Sequence, residues 1–264
     1  MAFVEHNENG LVYMTSSVLT ARHAFTTRLG GVSTGVFESL NLGSNRGDDP
    51  EAVRENYRRV CALMGAGIDD AAVTKQVHEN AVRTVTEADR HVCLSTVPYE
   101  ADGLVTAAKG LPLFCFIADC TPVLLQDPKN GVIAAVHRGW RSSAADILGE
   151  AVEKMRALGA EPSELRAALG PALGRCCFET DGDVPEAISS WLGGEVAGLW
   201  DQRADGKYMV DLRAANARRL RQLGLREEHI DVSTECTRCL HDKYWSHRYT
   251  KGERGSQAAV IVIK

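Results

Sequence analysis

Three side chains in this 264-residue chain could form a reactive site together: His78, Cys120 and His137. Two imidazoles and a thiolate suit zinc or copper, and three protein ligands leave a fourth position open for water or substrate. Their spacing matches no compact metal motif. The same residues admit a cysteine hydrolase, with an imidazole activating the thiol and Asp119 orienting a neighbour. They also admit a purely structural arrangement, in which Cys120 is buried and the histidines are bonded in turns. Residue types alone leave all three open.

Stepping outward, the elements that must position these residues can be read from the pattern. Val73–Val77 and Ala81–Val85 read as short strands on either side of His78. Leu113–Ile117, Val123–Leu125 and Val132–Val136 are apolar runs of the kind that form buried strands. Each of the three residues therefore falls just beyond a strand, at the rim of a sheet. Asp49 can cap a helix opened by Pro50, with Val53, Tyr57, Val60 and Met64 on one face. Ser142 or Ser143 can cap another that carries Ile147 to Leu158 and stops at Gly159, and a third runs from Asp211 to Leu223. Ala258–Ile263 is strand-like. The strands between 113 and 136 are too close together for helical crossovers. The sheet should therefore be mixed, in an α+β (mixed α/β) fold with helices flanking it. No linker or repeat divides the chain, so residues 1–264 read as a single domain.

Composition narrows the function. Hydrophobic residues make up 44% and charged residues 25%, the balance of an ordinary globular protein. The net charge of −5 comes with no basic stripe, which argues against nucleic acid as a partner. No apolar run is long enough to span a membrane, and residues 1–13 lack the basic start and apolar core of a signal peptide, so a cytoplasmic protein is expected. Its eight cysteines should then be thiols or ligands. Cys61 and Cys115 read as small buried hydrophobes. Cys236-x-x-Cys239, with His241 and His247 following, offers a second, structural zinc site, but it lacks a second such Cys pair and the histidine spacing is poor, so a packed C-terminal turn is expected. Cys176-Cys177 reads as site wall or core.

A set of short words in fixed order carries more information than any one of them. They are His23-Ala-Phe-Thr-Thr-Arg28-Leu-Gly-Gly, Ser39-Leu-Asn-Leu-Gly43, Gly47-Asp-Asp-Pro through Asn56, Gln76-Val-His78, Ala118-Asp-Cys-Thr-Pro, His137-Arg-Gly-Trp-Arg141, Leu169-Gly-Pro171 with Cys176-Cys177, Asp211-Leu212, Cys236-Thr237 and Ser246-His-Arg248. Together, from about residue 20 onward, they resemble the YfiH-like family. That family was once labelled multicopper polyphenol oxidoreductase or laccase and is now regarded as purine nucleoside phosphorylase. The resemblance implies a fold likened to cysteine hydrolases and a metal, zinc or possibly copper, held by His78, Cys120 and His137. It implies phosphorolysis of adenosine, inosine and methylthioadenosine, with adenosine deamination as a further activity. Nucleoside and phosphate are the expected partners, and the chain is expected as monomer or homodimer. Some family members are linked to peptidoglycan editing, which keeps a Cys–His hydrolase acting on an amide as the alternative. The chain departs from the family pattern at Glu79, Arg138 and Ser142.

Two consequences can be drawn from the residues. A multicopper oxidase needs many imidazoles, often as His-x-His pairs, yet the chain has eight histidines and no such pair. Phosphorolysis needs an anion site, for which Arg28 with the Gly30 and Gly31 amides, Arg46, Arg138 and Arg248 are candidates. Arg46 is favoured, because Asn45-Arg46-Gly47 directly precedes the capped helix and its positive N-terminal field.

Overall fold

Residues 2–97 and 99–264 are described by the computed structural model, apart from the side chains of residues 143 and 144. The chain opens with β1 (Phe3–Glu8), β2 (Leu11–Ser16) and β3 (Arg22–Thr26), followed by α1 (Pro50–Met64). Then come β4 (Val82–Thr84), β5 (Gly103–Thr106), β6 (Leu113–Ile117), β7 (Thr121–Asp127) and β8 (Val132–Arg138). Helices α2 (Trp140–Ala144) and α3 (Ile147–Ala157) lead to β9 (Arg166–Leu169), β10 (Glu179–Thr180) and α4 (Asp183–Trp191). The remainder is β11 (Trp200–Gln202), β12 (Tyr208–Val210), α5 (Leu212–Gln222), β13 (Ile230–Val232), α6 (His247–Thr250) and β14 (Gln257–Val262).

Two large sheets pack face to face. One is antiparallel with order β1-β2-β3-β14-β6, and the other is mixed with order β13-β9-β7-β8-β5-β4. Strand alternation explains why both are buried on two faces. In β8, Ile133 and Ala135 join Leu124, Phe25 and Ile261 between the sheets, while Val132, Ala134 and Val136 face α3 and α5. In β14, Ala259 and Ile261 point to the same inter-sheet layer, while Ala258 and Val260 meet Val53, Tyr57 and Val60 of α1. The result is four layers, helix–sheet–sheet–helix, and the predicted mixed α+β fold. A three-stranded sheet, β10-β12-β11, lies beside α4 with its own small core.

Helix α1 begins where its cap predicts: Asp49 Oδ1 accepts the Glu51 amide at 3.0 Å. Helix α5 is likewise capped by Asp211, which accepts from Ala214 at 3.0 Å. Two expectations need correction. Residues 73–77 form no strand, only isolated bridges at Ala72 and Lys75. The Gln76 side chain takes the place of a ladder, donating to Phe116 O at 2.8 Å and accepting from Phe116 N at 2.7 Å. Helix α3 is capped by Asp146, through the Gly149 amide, and not by Ser142. Ser142 Oγ instead closes a turn on Gly139, accepting its amide at 3.0 Å. The Ser143 alternative lies outside the described side chains.

Candidate active site

The end of the six-stranded sheet gathers the three residues. His137 is near the end of β8, opposite Pro122 of β7. Cys120 occupies the turn between β6 and β7, and His78 lies in the segment before β4. Their ligand atoms all fall within 4.8 Å of one another, close enough for one metal ion to bridge all three. The two rings meet edge-on, with centroids 4.6 Å apart at 75°.

What holds them there is Asp102, immediately before β5 and absent from the sequence-based candidates. It is buried, and its carboxylate accepts the amides of Val77, His78 and Glu79 at 3.1, 3.0 and 2.9 Å. It also bonds His137 Nδ1 at 2.7 Å, and its backbone oxygen accepts the His137 amide at 2.7 Å. One side chain thus folds the turn that presents His78, which has a positive φ of 65°, and aims Nε2 of His137 at Cys120. Such a carboxylate–histidine pair fixes the ring's tautomer and raises its strength as a donor. Gly139 completes the enclosure: a Cβ there would sit 3.2 Å from His78 Nδ1 and 3.4 Å from Cys120 Sγ.

Electrostatics couple the group. Burial pushes the Cys120 thiol up, but the charge and hydrogen bonds of His137 and His78 outweigh it and bring it down to about 6. Burial opposes protonation of His137, while Cys120 and Asp102 favour it and carry it up to about 9. Without a metal, the pair therefore tends to thiolate and imidazolium. This donor set, with His137 fixed from behind by Asp102, fits a soft divalent ion.

The group opens into a cavity of about 1030 Å³. Its lining includes the apolar Leu42, Tyr57, Val73 and Phe116 and the cationic Arg46, Arg248 and Arg254. Arg254, also missed in the sequence, is lowered to about 10 by burial and then by Arg46, and its charge also feels Asp119 and Cys120. His247 is lowered by burial and by the same arginines. Asp119, at a positive φ of 89°, ties this wall together: it accepts from Thr237 Oγ1 and the Arg248 amide, each at 2.6 Å.

The other anion candidates lie elsewhere. Arg28 is not among the cavity-lining residues; it stacks 3.8 Å over Trp245 and donates to His241 O at 3.1 Å. The Gly30 and Gly31 amides are taken by Ser39 Oγ at 2.9 and 3.2 Å. Arg138 is fully buried beneath Trp191, 4.7 Å from its ring, and burial lowers it to about 9. The Cys236-x-x-Cys239 turn is more than packing, because Cys176 and Cys177 join it. These four sulfurs form the second group with metal-binding proximity among the described residues. No helix of the described residues is long and apolar enough to cross a membrane.

The α+β fold is shared with known proteins. Residues 22–264 match the family described as multi-copper polyphenol oxidoreductase laccase, and the chain belongs to that family. Among its relatives, a purine nucleoside phosphorylase of Corynebacterium glutamicum is 37% identical over 242 residues, covering 91% of this chain and 93% of that one. Another, from Deinococcus radiodurans, is 37% identical over 254 residues, covering 96% and 93%. The crystal structure of YlmD from Geobacillus stearothermophilus superposes with a TM-score of 0.93 at 31% identity, covering 100% of both chains. That of the hypothetical protein YfiH from Bacillus licheniformis gives 0.92 at 29% identity, covering 98% and 99%.

Proposed function

We propose that this chain is a zinc-dependent purine nucleoside phosphorylase with adenosine deaminase side activity. The observation that carries the reading is one cavity with three kinds of lining. His78, Cys120 and His137 share it with the aromatic rings of Tyr57 and Phe116 and with the guanidinium groups of Arg46, Arg248 and Arg254. The relatives' names point the same way.

The residues divide the work. His78, Cys120 and His137 would hold zinc, which would supply Lewis-acid polarisation. Asp102 keeps His137 in the tautomer whose Nε2 is free to ligate. Tyr57 and Phe116 offer aromatic faces to a purine. Arg46, with Arg254 and Arg248, holds phosphate by charge-assisted bonds. A phosphate oxygen then attacks the ribose C1′ as the C1′–N9 bond breaks. The electron pair leaves with the base, which takes up a proton, and ribose-1-phosphate remains. In deamination, water attacks C6 of adenine instead, the C6–N bond breaks, and ammonia and inosine leave. The reading takes residues 1–264 as one catalytic domain.

Incubation with inosine and phosphate tests this directly. Hypoxanthine and ribose-1-phosphate should appear together, stop on chelation and resume with zinc. Free base without the sugar phosphate, or phenol oxidation as fast as nucleoside turnover, would refute it.

One observation favours a second reading. Cys120, His137 and Asp102 line up in the order of a Cys–His–Asp triad, with the thiol near 6. A hydrolase of amides, such as a peptidoglycan precursor, would use that line and leave a thioester at Cys120 detectable by mass.

A further inference from the structure

On the far side of the cavity wall, two turns bring four cysteines to one point. The first turn follows β9: Cys177 N and Phe178 N both bond Gly174 O at 2.9 Å, and this curl places Cys176 and Cys177 on the same side. The second follows β13: Thr237 N bonds Ala172 O at 3.1 Å, and Leu240 N bonds Cys236 O at 3.0 Å. The sulfurs of Cys176, Cys177, Cys236 and Cys239 all lie within 4.8 Å of one another, and none is in a disulfide. Cys239 Sγ is 3.6 Å from Cys176 Sγ and 3.5 Å from Cys177 Sγ. A tetrahedral tetrathiolate with zinc–sulfur bonds of about 2.3 Å has edges near 3.8 Å. Those two separations lie close to such an edge, and they are far longer than the roughly 2.05 Å of a covalent bridge.

The surroundings suit thiolates. Gly174 N donates to Cys236 Sγ at 3.3 Å, and the amides of Cys239 and Arg238 point at the same sulfur. Amide-to-sulfur bonds of this kind support a ligating thiolate. The guanidinium of Arg238 lies against Cys177 and offsets part of the negative charge that four thiolates leave on a divalent ion.

We propose that Cys176, Cys177, Cys236 and Cys239 form a second, closed metal site for zinc, which clamps the turn after β9 to the turn after β13. Four protein ligands leave no open position, so its role is structural. Leu173 and Phe178, which line the cavity, pack on Cys177 and Cys236, and Thr237 beside the clamp anchors Asp119. The clamp therefore sets one wall of the active cavity without touching substrate. It stands independently of the zinc assigned to His78, Cys120 and His137.

The test is elemental analysis and zinc X-ray absorption on full-length protein isolated under reducing conditions. In the double variant His78→Ala/His137→Ala, about one zinc per chain should remain, with a first shell of sulfur alone. In Cys236→Ser/Cys239→Ser, the remaining zinc should show a mixed nitrogen–sulfur shell. Zinc-free His78→Ala/His137→Ala protein, or intact mass showing disulfides among these four cysteines, would overturn the proposal. If the serine variant does not fold, the histidine variant decides the question alone, because its all-sulfur shell can arise at no other group among the described residues.

Discussion

The glycine-rich stretch from Thr26 to Ser33 and the cluster of His78, Cys120 and His137 both carry the residue types of a binding site, and the fold treats them in opposite ways. In the glycine-rich stretch the backbone amides from Arg28 to Ser33 are already spent. Gly30 and Gly31 amides serve Ser39, the Val32 amide serves Asn56 at 2.9 Å, and Arg28 is folded over Trp245. Buried Asn56 is its hub, donating also to Ser33 Oγ and Asn41 O at 2.9 Å each. In the cluster, by contrast, the ligating atoms meet one another beside a cavity, and the fold braces the histidines from behind. Asp102 takes Nδ1 of His137 and the amides around His78, and the ligating atoms are left facing a cavity. The contrast teaches that a glycine-rich loop with an arginine signals a tight turn as readily as an anion cradle. The partner of each polar group decides between them.

The comparison can be broken most sharply at a ligand. His137→Ala should cost more than the roughly 100-fold that a second-shell change removes, and metal content should fall in parallel with turnover. Full metal with lost activity would move His137 from ligand to base. Asp102→Asn comes next: it keeps the shape but loses the charge that orients His137, and should lower metal affinity or turnover by about 10–100-fold, read by chelator competition. A smaller effect is expected at the cationic wall. Arg46→Ala removes a charge-assisted contact worth about 1.5–3 kcal/mol, so the phosphate KM should rise roughly tenfold or more while deamination, which uses water, changes little. Arg28→Ala should leave that KM unchanged, and a rise equal to that of Arg46→Ala would erase the distinction drawn above. Smallest for catalysis is Asn56→Ala. It strands buried amides at a cost of about 1–3 kcal/mol, seen as a lowered Tm, with kcat retained below the transition.

Local signals were legible in the sequence and distant ones were not. Helix α1 announces itself through Asp49-Pro50, because a cap acts over two or three residues. The apolar runs of β6, β7 and β8 are readable because both faces are buried. Asp102 could not be singled out: its partners at 77–79 and 137 come from separate turns and strands, and a buried aspartate looks like any other. The four-cysteine cluster failed for the same reason, since the partners of Cys236-x-x-Cys239 lie about sixty residues upstream. Residues 73–77 misled in the other direction. Their strand-like pattern is real, but Gln76 clips the segment to Phe116 by its side chain instead of a ladder.

The position of β14 has a consequence for how the protein is made. Residues 257–262 are the central plank between β3 and β6, and Ala258 N bonds Thr26 Oγ1 at 2.9 Å. The hairpin translated first therefore has nothing to pair with on its inner side until the last-synthesised of these strands has left the ribosome. The stretch leading into that plank supplies Arg254 and Ser256 of the cavity. Closure of the sheet and completion of the pocket are thus one late event, joined across nearly the whole chain. Such long-range pairing folds more slowly than local contacts do. A nascent chain halted before β14 would expose an unpaired sheet edge, the kind of surface that chaperones shield.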